Sequence, residues 1–432
     1  MKSAMCVIGT GYVGLCTGVG FAEKGFKVIC VGRTKEKIER INKGDPIIYE
    51  PVLEDSLKKV IKNGLFQATI DLKYAIENSN ISFICVGTPS KHDGSIDLGD
   101  IRKAAEDIGK FMKTKKDYHI VVVKSTVVPE TTDKIVIPSL EKTSGKKTGR
   151  DFGVCMNPEF LREGMALKDF LEPDRIVIGE YNKKSGDILE NIYKIFNAPI
   201  LRTNLKVAET IKYANNAFLA TKISFANEIG NICKKLGIDT YDVFRGVGMD
   251  HRISPHFFNA GAGWGGSCFP KDVSALIAKS KELGYEPKLL EEVRELNKRQ
   301  KVRIVEQLES KLGSLKDKKI ALLGLSFKPN TDDIREASSI AIIEALKRKG
   351  AAIIAYDPQA IENMKQLFPD LIYTKTAQEA LKGVDASVII TEWEEFKQLN
   401  ENDFGLMKNR LIFEGRKVLD PNQIKDFEGI CW

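Results

Sequence analysis

The first predicted α/β unit of the chain reads Ala4-Met5-Cys6-Val7-Ile8-Gly9-Thr10-Gly11-Tyr12-Val13-Gly14. An apolar strand ends at Ile8, a GxGxxG turn follows, a helix pattern continues to Glu23, and a second strand covers Lys27 to Val31. In this order the motif predicts a dinucleotide-binding turn rather than a tight turn without a ligand. Gly9 would make the turn, Gly11 would let a pyrophosphate approach, and Gly14 would allow close packing of helix and strand. The phosphates would lie at the helix N-terminus, beside Tyr12 and Val13.

Two further apolar strands extend this pattern, at Ile81–Val86 and His119–Lys124. Each ends in polar loop residues. Because an open parallel sheet binds its ligand at the carboxyl ends of its strands, we expect these loops to contact the dinucleotide. The candidate contacts are Thr88, Pro89, Ser125 and Thr126.

The end of the second strand leaves the choice of cofactor open. A site for NAD usually places an Asp or Glu here to hold the ribose 2′-hydroxyl, but Val31 is followed by Gly32 and Arg33. An arginine with no acid beside it is the arrangement expected for a 2′-phosphate, which indicates NADP, with Lys37 a further basic candidate. The alternative is that these are solvated loop charges and that NAD binds without the acid.

Composition limits the class of protein. The 432 residues predict two or three domains, and the charged fraction of 29% is that of an ordinary globular protein. A net charge of +7 suits an anionic small molecule but not a nucleic acid. The eight cysteines form no CxxC pair and the four histidines do not cluster with them, so we expect reduced thiols in the cytoplasm and no metal site. We also expect no signal peptide and no membrane span.

The predicted fold class is α/β, with two Rossmann-like doubly wound parallel-sheet domains joined by a central long-helix domain. The predicted boundaries are 1–200, 201–300 and 301–432. The long helix would begin at Leu201, end near Leu236 and carry the subunit contact of a homodimer. Within it Lys212 and Asn216 are four residues apart and share a face, so they could hold an oxyanion or could be solvated surface residues.

A second glycine-rich segment, Gly261-Ala262-Gly263-Trp264-Gly265-Gly266-Ser267-Cys268-Phe269-Pro270-Lys271-Asp272, presents a thiol that looks like a nucleophile. The glycines would leave room for a sugar ring beside it. A nicotinamide site and a nucleophilic thiol together permit two-stage oxidation of a primary alcohol through a thiohemiacetal and a thioester. Hydrolysis of the thioester needs a carboxylate. Candidates are Glu159 and Glu163, which would share a face at a helix start or serve there only as dipole partners.

Taken together, these motifs resemble the UDP-glucose/GDP-mannose dehydrogenase family, from Gly9 to about Arg416. The resemblance implies that Cys268 is the nucleophile, that Lys212 and Asn216 stabilise the oxyanion, that Asp272 assists the acid–base step, and that Glu159 and Thr126 activate water. It places the cofactor at the residues already named and at Glu163, Lys271 and Arg335. It implies a substrate site made, besides Glu159, Lys212, Asn216 and Cys268, of Phe160, Leu161, Arg252, Phe257, Gly265, Phe327, Lys328 and Arg416, with Arg252 reaching the neighbouring subunit.

The implied activity is oxidation of UDP-glucose to UDP-glucuronate with two molecules of NAD or NADP. GDP-mannose or another nucleotide sugar is the alternative substrate. A two-electron 3-hydroxyacid dehydrogenase would also combine a GxGxxG domain with a Lys/Asn helix, but it needs neither the thiol nor the domain predicted at 301–432. A non-catalytic nucleotide-sugar sensor would bind the sugar and release no reduced cofactor.

Overall fold

A computed structural model describes residues 4–432 and builds the GxGxxG turn into an eight-stranded sheet. The strands have the order β3-β2-β1-β4-β5-β6-β7-β8, and every neighbouring pair is parallel except β6 with β7. Most of these strands are apolar and buried, as expected for a parallel sheet with helices on both faces. The strands are β1 Met5–Ile8, β2 Val28–Val31, β3 Phe66–Thr69, β4 Ile81–Ile84, β5 His119–Val123, β6 Phe152–Met156, β7 Ile176–Glu180 and β8 Ile200–Asn204.

Helices connect these strands and cover both faces of the sheet. Neighbouring residues of β4 belong to different cores: Phe83 packs with Leu15 and Phe21 on one face, and Ile84 packs with Ile101 on the other. The helices are α1 Tyr12–Glu23, α2 Lys35–Asn42, α3 Leu53–Lys62, α4 Leu72–Glu77, α5 Gly99–Met112, α6 Ile137–Ser144, α7 Ala166–Leu171 and α8 Lys183–Tyr193, and a π-helical turn at Thr132–Val136 precedes α6.

The long helix α9, Leu205–Leu236, begins four residues later than predicted. Residues Ile200–Asn204 form β8 instead, because they pair in parallel with β7 at the edge of the sheet. The Asn204 side chain then accepts a hydrogen bond from the Val207 N–H at 2.9 Å, which caps the helix and fixes its first turn.

The second half of the chain forms a six-stranded sheet in which all neighbours are parallel, in the order β11-β10-β9-β12-β13-β14. Its strands are β9 Lys319–Leu323, β10 Ala352–Tyr356, β11 Ile372–Tyr373, β12 Ala386–Ile389, β13 Ile412–Glu414 and β14 Phe427–Gly429. Its helices are α10 Thr240–Gly248, α11 Phe269–Glu282, α12 Lys288–Leu312, α13 Ser338–Arg348, α14 Ile361–Leu367, α15 Ala377–Leu381 and α16 Glu401–Phe404, with a 3₁₀ turn at Glu394–Gln398.

Counted in chain order, the six strands of this sheet and the first six of the larger one share the order 3-2-1-4-5-6, which is that of the Rossmann fold. The predicted fold class is therefore confirmed. The structure divides into two compact units, one ending at Asn215 and the other covering Asn216–Trp432, so α9 contributes to both. The three-domain boundaries stay a prediction. No helix within residues 4–432 combines the length and apolar character that crossing a bilayer requires.

Candidate active site

The GxGxxG turn of the first unit fits a dinucleotide. A Cβ at Gly9 would lie 2.3 Å from the Cys85 carbonyl oxygen, and one at Gly14 would lie 2.0 Å from the Gly9 oxygen, so both positions need glycine for packing. A Cβ at Gly11, in contrast, would meet no atom within 4 Å. The middle glycine therefore presents an open backbone face at the start of α1, where a pyrophosphate can approach. The next residue, Tyr12, donates its hydroxyl to the Tyr49 carbonyl at 3.1 Å.

The loops that follow β4 and β5 are joined to each other. The Thr88 hydroxyl donates to the Thr126 carbonyl at 3.0 Å, and the Ser125 hydroxyl donates to the Val86 carbonyl at 2.7 Å. Pro89 contributes its carbonyl to the Asp97 N–H at 2.8 Å. These residues therefore form one hydrogen-bonded edge at the carboxyl ends of the parallel strands; their contact with a dinucleotide stays a prediction.

Arg33 has an acidic partner in the fold, although no acid neighbours it in the sequence. Its guanidinium makes two 2.9 Å hydrogen bonds to the two carboxylate oxygens of Asp100, in the first turn of α5. Asp100 is 67 residues away in the chain, and only the doubly wound topology brings it to the end of β2. Lys37 lies exposed on α2.

Glu159 and Lys212 form a buried ion pair in the first unit, with the Lys212 Nζ 3.0 Å from Glu159 Oε1 and both side chains at most 5% exposed. The second carboxylate oxygen, Oε2, accepts the Leu161 N–H at 2.5 Å. Phe160 stacks against Arg175, whose guanidinium carbon lies 3.8 Å from the ring centre. The interpretation of Lys212 as a solvated surface residue is therefore excluded.

The predicted helix carrying Glu159 and Glu163 does not exist. Residues 157–165 form a loop and a turn, and α7 begins only at Ala166. Instead, the buried Glu50 carboxylate accepts the backbone N–H groups of Gly164 at 2.7 Å and Ala166 at 2.6 Å. A partner outside the helix thus satisfies donors at the start of α7, and Glu159 and Glu163 lie in the loop and turn that precede it.

A buried polar cluster joins the end of β5 to the start of this loop, and none of its residues was among the predicted site residues. The Lys124 ammonium, at the end of β5, donates to Asn157 Oδ1 at 3.0 Å and to the Tyr193 hydroxyl at 3.4 Å. Burial lowers the pKa of Lys124 to about 8. The available signal was a lysine directly after four consecutive apolar residues of a buried strand, where a charge needs a hydrogen-bonding partner.

In the second unit, Cys268 differs from the other seven cysteines. All eight are free and lie in the described part of the chain, and Cys268 is the one that is not buried. Burial raises the pKa of the Cys6 and Cys85 thiols to about 12, which makes them poor nucleophiles. Cys268 is the N-cap residue of α11, whose positive end favours a thiolate, and the Ser267 hydroxyl lies 3.6 Å from its sulfur.

Four residues after Cys268, Asp272 forms a polar cluster with two predicted site residues. Its carboxylate accepts the Asn216 side-chain amide at 2.6 Å and pairs with the Lys271 ammonium at 2.5 Å. Asp272 is 1% exposed and Asn216 is 4% exposed, so Asn216 also is not a solvated residue. Lys212 and Asn216 lie one turn apart on α9, and each holds a carboxylate.

The glycines of the cysteine loop are explained by packing inside this unit. A Cβ at Gly265 would lie 2.2 Å from the Glu336 carbonyl oxygen, and one at Gly266 would lie 2.6 Å from the Phe327 ring. The Arg416 guanidinium donates to the Gly263 carbonyl, and the Lys328 Nζ lies 5.5 Å from the Phe327 ring centre. These contacts bring three predicted substrate residues, Phe327, Lys328 and Arg416, to the loop that carries the thiol.

The remaining candidates are held by local contacts. Arg335 pairs with Asp333 and Arg252 pairs with Asp250, each at 2.6 Å, and both arginine side chains are more than half exposed. Phe257 adopts a left-handed backbone with φ +70°, which is a strained conformation for an aromatic residue. Within residues 4–432, no group of three or more His, Cys, Asp or Glu side chains is arranged to hold a metal ion.

A buried aspartate directly follows β10 and was not among the predicted site residues. Asp357 occupies the position that receives a ribose in a dinucleotide-binding sheet, directly after the second strand. In this unit its carboxylate instead accepts the N–H groups of Leu325 and Ser326 and the indole N–H of Trp393. The first loop of the second sheet is thus held by the chain itself.

Three comparisons with known proteins agree with this architecture. Models of the UDP-glucose/GDP-mannose dehydrogenase family match residues 3–197 (NAD binding domain), 206–299 (central domain) and 321–421 (UDP binding domain). A UDP-glucose 6-dehydrogenase of Haloferax volcanii is 42% identical over 99% of both chains. A UDP-glucose dehydrogenase structure from Pyrobaculum islandicum covers 100% of this chain and 98% of its own, with a TM-score of 0.94 and 40% identity. A GDP-mannose dehydrogenase structure from Pseudomonas aeruginosa covers 99% and 100%, with a TM-score of 0.58 and 37% identity.

Proposed function

The chain belongs to the UDP-glucose/GDP-mannose dehydrogenase family, and we propose on this basis that it oxidises UDP-glucose at C6 to UDP-glucuronate. The reaction removes four electrons and uses two molecules of NAD(P)⁺ per sugar. The observation that carries the proposal is Cys268, the accessible thiol at the N-terminus of α11, four residues before the buried Asp272 cluster.

The residues divide the chemistry between them. A dinucleotide held at the Gly9–Gly14 turn would accept the hydride of the first oxidation, and a second NAD(P)⁺ would replace it to accept the hydride of the next. After the first, the Cys268 thiolate adds to the C6 aldehyde, and the new S–C bond leaves a negative oxygen that Lys212 and Asn216 stabilise. Asp272 takes up and returns protons at that oxygen. The second oxidation gives a thioester. Glu159 and Thr126 orient water to attack its carbonyl, which releases the acid and restores the thiol.

The nucleotide end of the substrate would bind to the second unit. Support comes from the UDP-binding family model, which matches residues 321–421 and includes Phe327 and Lys328, and Arg416 offers a cation beside the cysteine loop. Phe160, Leu161 and Gly265 would contact the sugar. GDP-mannose is the alternative substrate, favoured by the likeness to a GDP-mannose dehydrogenase structure.

We further propose a homodimer that works in the cytoplasm. The Arg252 side chain is 76% exposed and is oriented by Asp250, so it is suited to reach a partner's substrate site. Eight free cysteines support a reducing compartment. For the cofactor, Glu163, Lys271 and Arg335 would contact the nicotinamide end.

The decisive measurement is the yield of reduced cofactor, followed at the nicotinamide absorbance band, from a limiting amount of UDP-glucose. We expect two equivalents per sugar. Cys268→Ser should lower turnover by on the order of 10³-fold or more while UDP-glucose still binds. Cys233→Ser, which changes a buried thiol on α9, serves as the matched control and should keep both equivalents.

Each of the other possible outcomes would indicate a different activity. One equivalent per sugar would indicate a simple two-electron dehydrogenase. Binding of UDP-glucose without any reduced cofactor would indicate a sensor. A higher kcat/KM for GDP-mannose than for UDP-glucose would establish the alternative substrate.

A further inference from the structure

Arg33 stands where a Rossmann sheet distinguishes NAD from NADP. It follows β2 by two residues, and the Gly9 N–H bonds to the Val31 carbonyl at 2.9 Å, so the end of β2 is fixed beside the glycine turn. In this fold the residues after the second strand face the adenosine ribose. The number of guanidinium donors that Arg33 has free there determines how strongly it can bind a 2′-phosphate.

Asp100 already occupies the donors that a phosphate would use. Both terminal nitrogens of the Arg33 guanidinium donate to the two Asp100 oxygens at 2.9 Å, which is the bidentate geometry that arginine also uses for phosphate. The Arg33 side chain is 79% exposed and Asp100 is 37% exposed, so the pair lies at the surface where a ligand can reach it. A 2′-phosphate would have to displace a carboxylate and remain close to its negative charge.

Position 32 cannot easily supply the acid that NAD sites usually place there. A Cβ at Gly32 would lie 2.8 Å from the Ile38 Cδ1 and 2.9 Å from the Thr10 Cγ2, so a larger residue requires both side chains to move. The segment is also electrically balanced once the partners from other segments are counted: its four cations, Arg33, Lys35, Lys37 and Arg40, are opposed by Glu36, Glu39, Asp45 and Asp100. The basic residues after β2 therefore do not form a net positive site.

We propose that Asp100 is the specificity-determining residue for the cofactor, and that it selects NAD over NADP by occupying the Arg33 guanidinium. It supplies from α5 the negative charge that is missing after β2. The inference depends on the dinucleotide site of the proposed function, but not on the identity of the sugar substrate.

The test is the affinity for NADH and for NADPH, measured by isothermal titration calorimetry without a nucleotide sugar. The wild-type protein should bind NADH at least about tenfold more tightly. Asp100→Asn should reduce the ratio of the NADPH to the NADH dissociation constant by about tenfold, mainly through tighter NADPH binding, because the guanidinium becomes available to the 2′-phosphate. The double variant Asp100→Asn with Arg33→Ala should lose this gain.

Asp107→Asn is the matched control. It makes the same change of charge on the same helix, but its carboxylate pairs with Lys103 and Lys110, so the ratio should stay as in the wild type. A wild-type protein that binds NADPH as tightly as NADH would overturn the inference, as would an unchanged ratio in Asp100→Asn. If the binding ratios behave as expected but UDP-glucose is not oxidised, the proposed function fails and the cofactor inference stands.

Discussion

Lys212 and Glu159 bring opposite charges into the interior of the first unit, and their pairing determines how much a substitution of either residue destabilises the protein. Both side chains are almost fully buried, and their closest N–O distance is 3.0 Å. Removing two charges from water is costly, so a pair of this kind contributes little net stability, but loss of one partner leaves the other charge buried and uncompensated.

We therefore predict that Lys212→Met destabilises the protein by about 3–5 kcal/mol and that the double variant with Glu159→Gln recovers most of this loss. Unfolding in urea, followed by circular dichroism at 222 nm, gives the free energies. Lys206→Met is the control. Lys206 lies on the same helix as Lys212, but its ion pair with Glu130, in the loop after β5, is more exposed, so the cost should stay below about 1 kcal/mol. No recovery in the double variant would contradict the prediction.

At this scale, sequence could identify the residue types but not their partners. Cys268 and Asp272 stand out because they lie in or close after a glycine-rich loop, whereas the local pattern does not distinguish Lys212 from a solvated lysine. Asp100 and Glu50 do not, because each acts on a segment 67 or more residues away that only the folded sheet brings near. Their partners depend on topology, and no local pattern encodes them.

At the scale of elements, α9 shows an apolar surface that its own fold does not cover. Phe218, Phe225 and Ile232 recur every seven residues, which places them along one face, and they are 63%, 49% and 51% exposed. A regularly spaced apolar stripe on a long helix is typical of helix–helix contact between subunits. This supports the proposed homodimer.

We predict that Phe225→Glu converts the dimer to monomers, because a carboxylate in the apolar stripe would lose its hydration on association. Sedimentation velocity at several protein concentrations measures the change, and the dissociation constant should rise at least about tenfold. Lys235→Glu introduces the same charge at an exposed position of the same helix, beyond the last of the three apolar residues, and should leave the dissociation constant unchanged. A monomeric wild type, or a Phe225→Glu variant that still dimerises, would refute the assignment.

Most elements followed from local pattern, and the exceptions have identifiable causes. The first helix ends at Glu23, as its pattern predicts, and the strand that follows ends at the predicted residue, Val31. The start of α9 was wrong because edge pairing with β7 overrides the helix pattern at Leu201. The helix predicted at Glu159 is absent: α7 begins at Ala166, where Glu50 accepts the N–H groups of Gly164 and Ala166.

At the scale of the molecule, the two units share one strand order but differ in their content of tryptophan, the residue that serves as a fluorescent probe. All three tryptophans, Trp264, Trp393 and Trp432, belong to the second unit. Tryptophan fluorescence therefore reports on that unit alone, whereas circular dichroism reports on both. Among the acids of the second unit, Glu414 at the end of β13 directly contacts one of these probes: its carboxylate accepts the Trp432 indole N–H at 3.2 Å.

Burial raises the pKa of Glu414 to about 7 from its ordinary value of 4.5, although Val418 and Leu419 donate their N–H groups to it. Below pH 4.5 the carboxyl is protonated in the folded and unfolded states alike. Between pH 4.5 and 7 only the folded protein retains the proton, so its stability falls as the pH rises, by about 3 kcal/mol in total, and the full cost persists above pH 7.

Glu414→Gln removes the titration. In urea unfolding followed by tryptophan fluorescence, the variant should therefore gain about 3 kcal/mol on the wild type between pH 4 and pH 8. Glu344→Gln, the same change on an exposed face of α13, should track the wild type at both pH values. Parallel pH dependence of Glu414→Gln and wild type would show that burial at β13 does not set this titration.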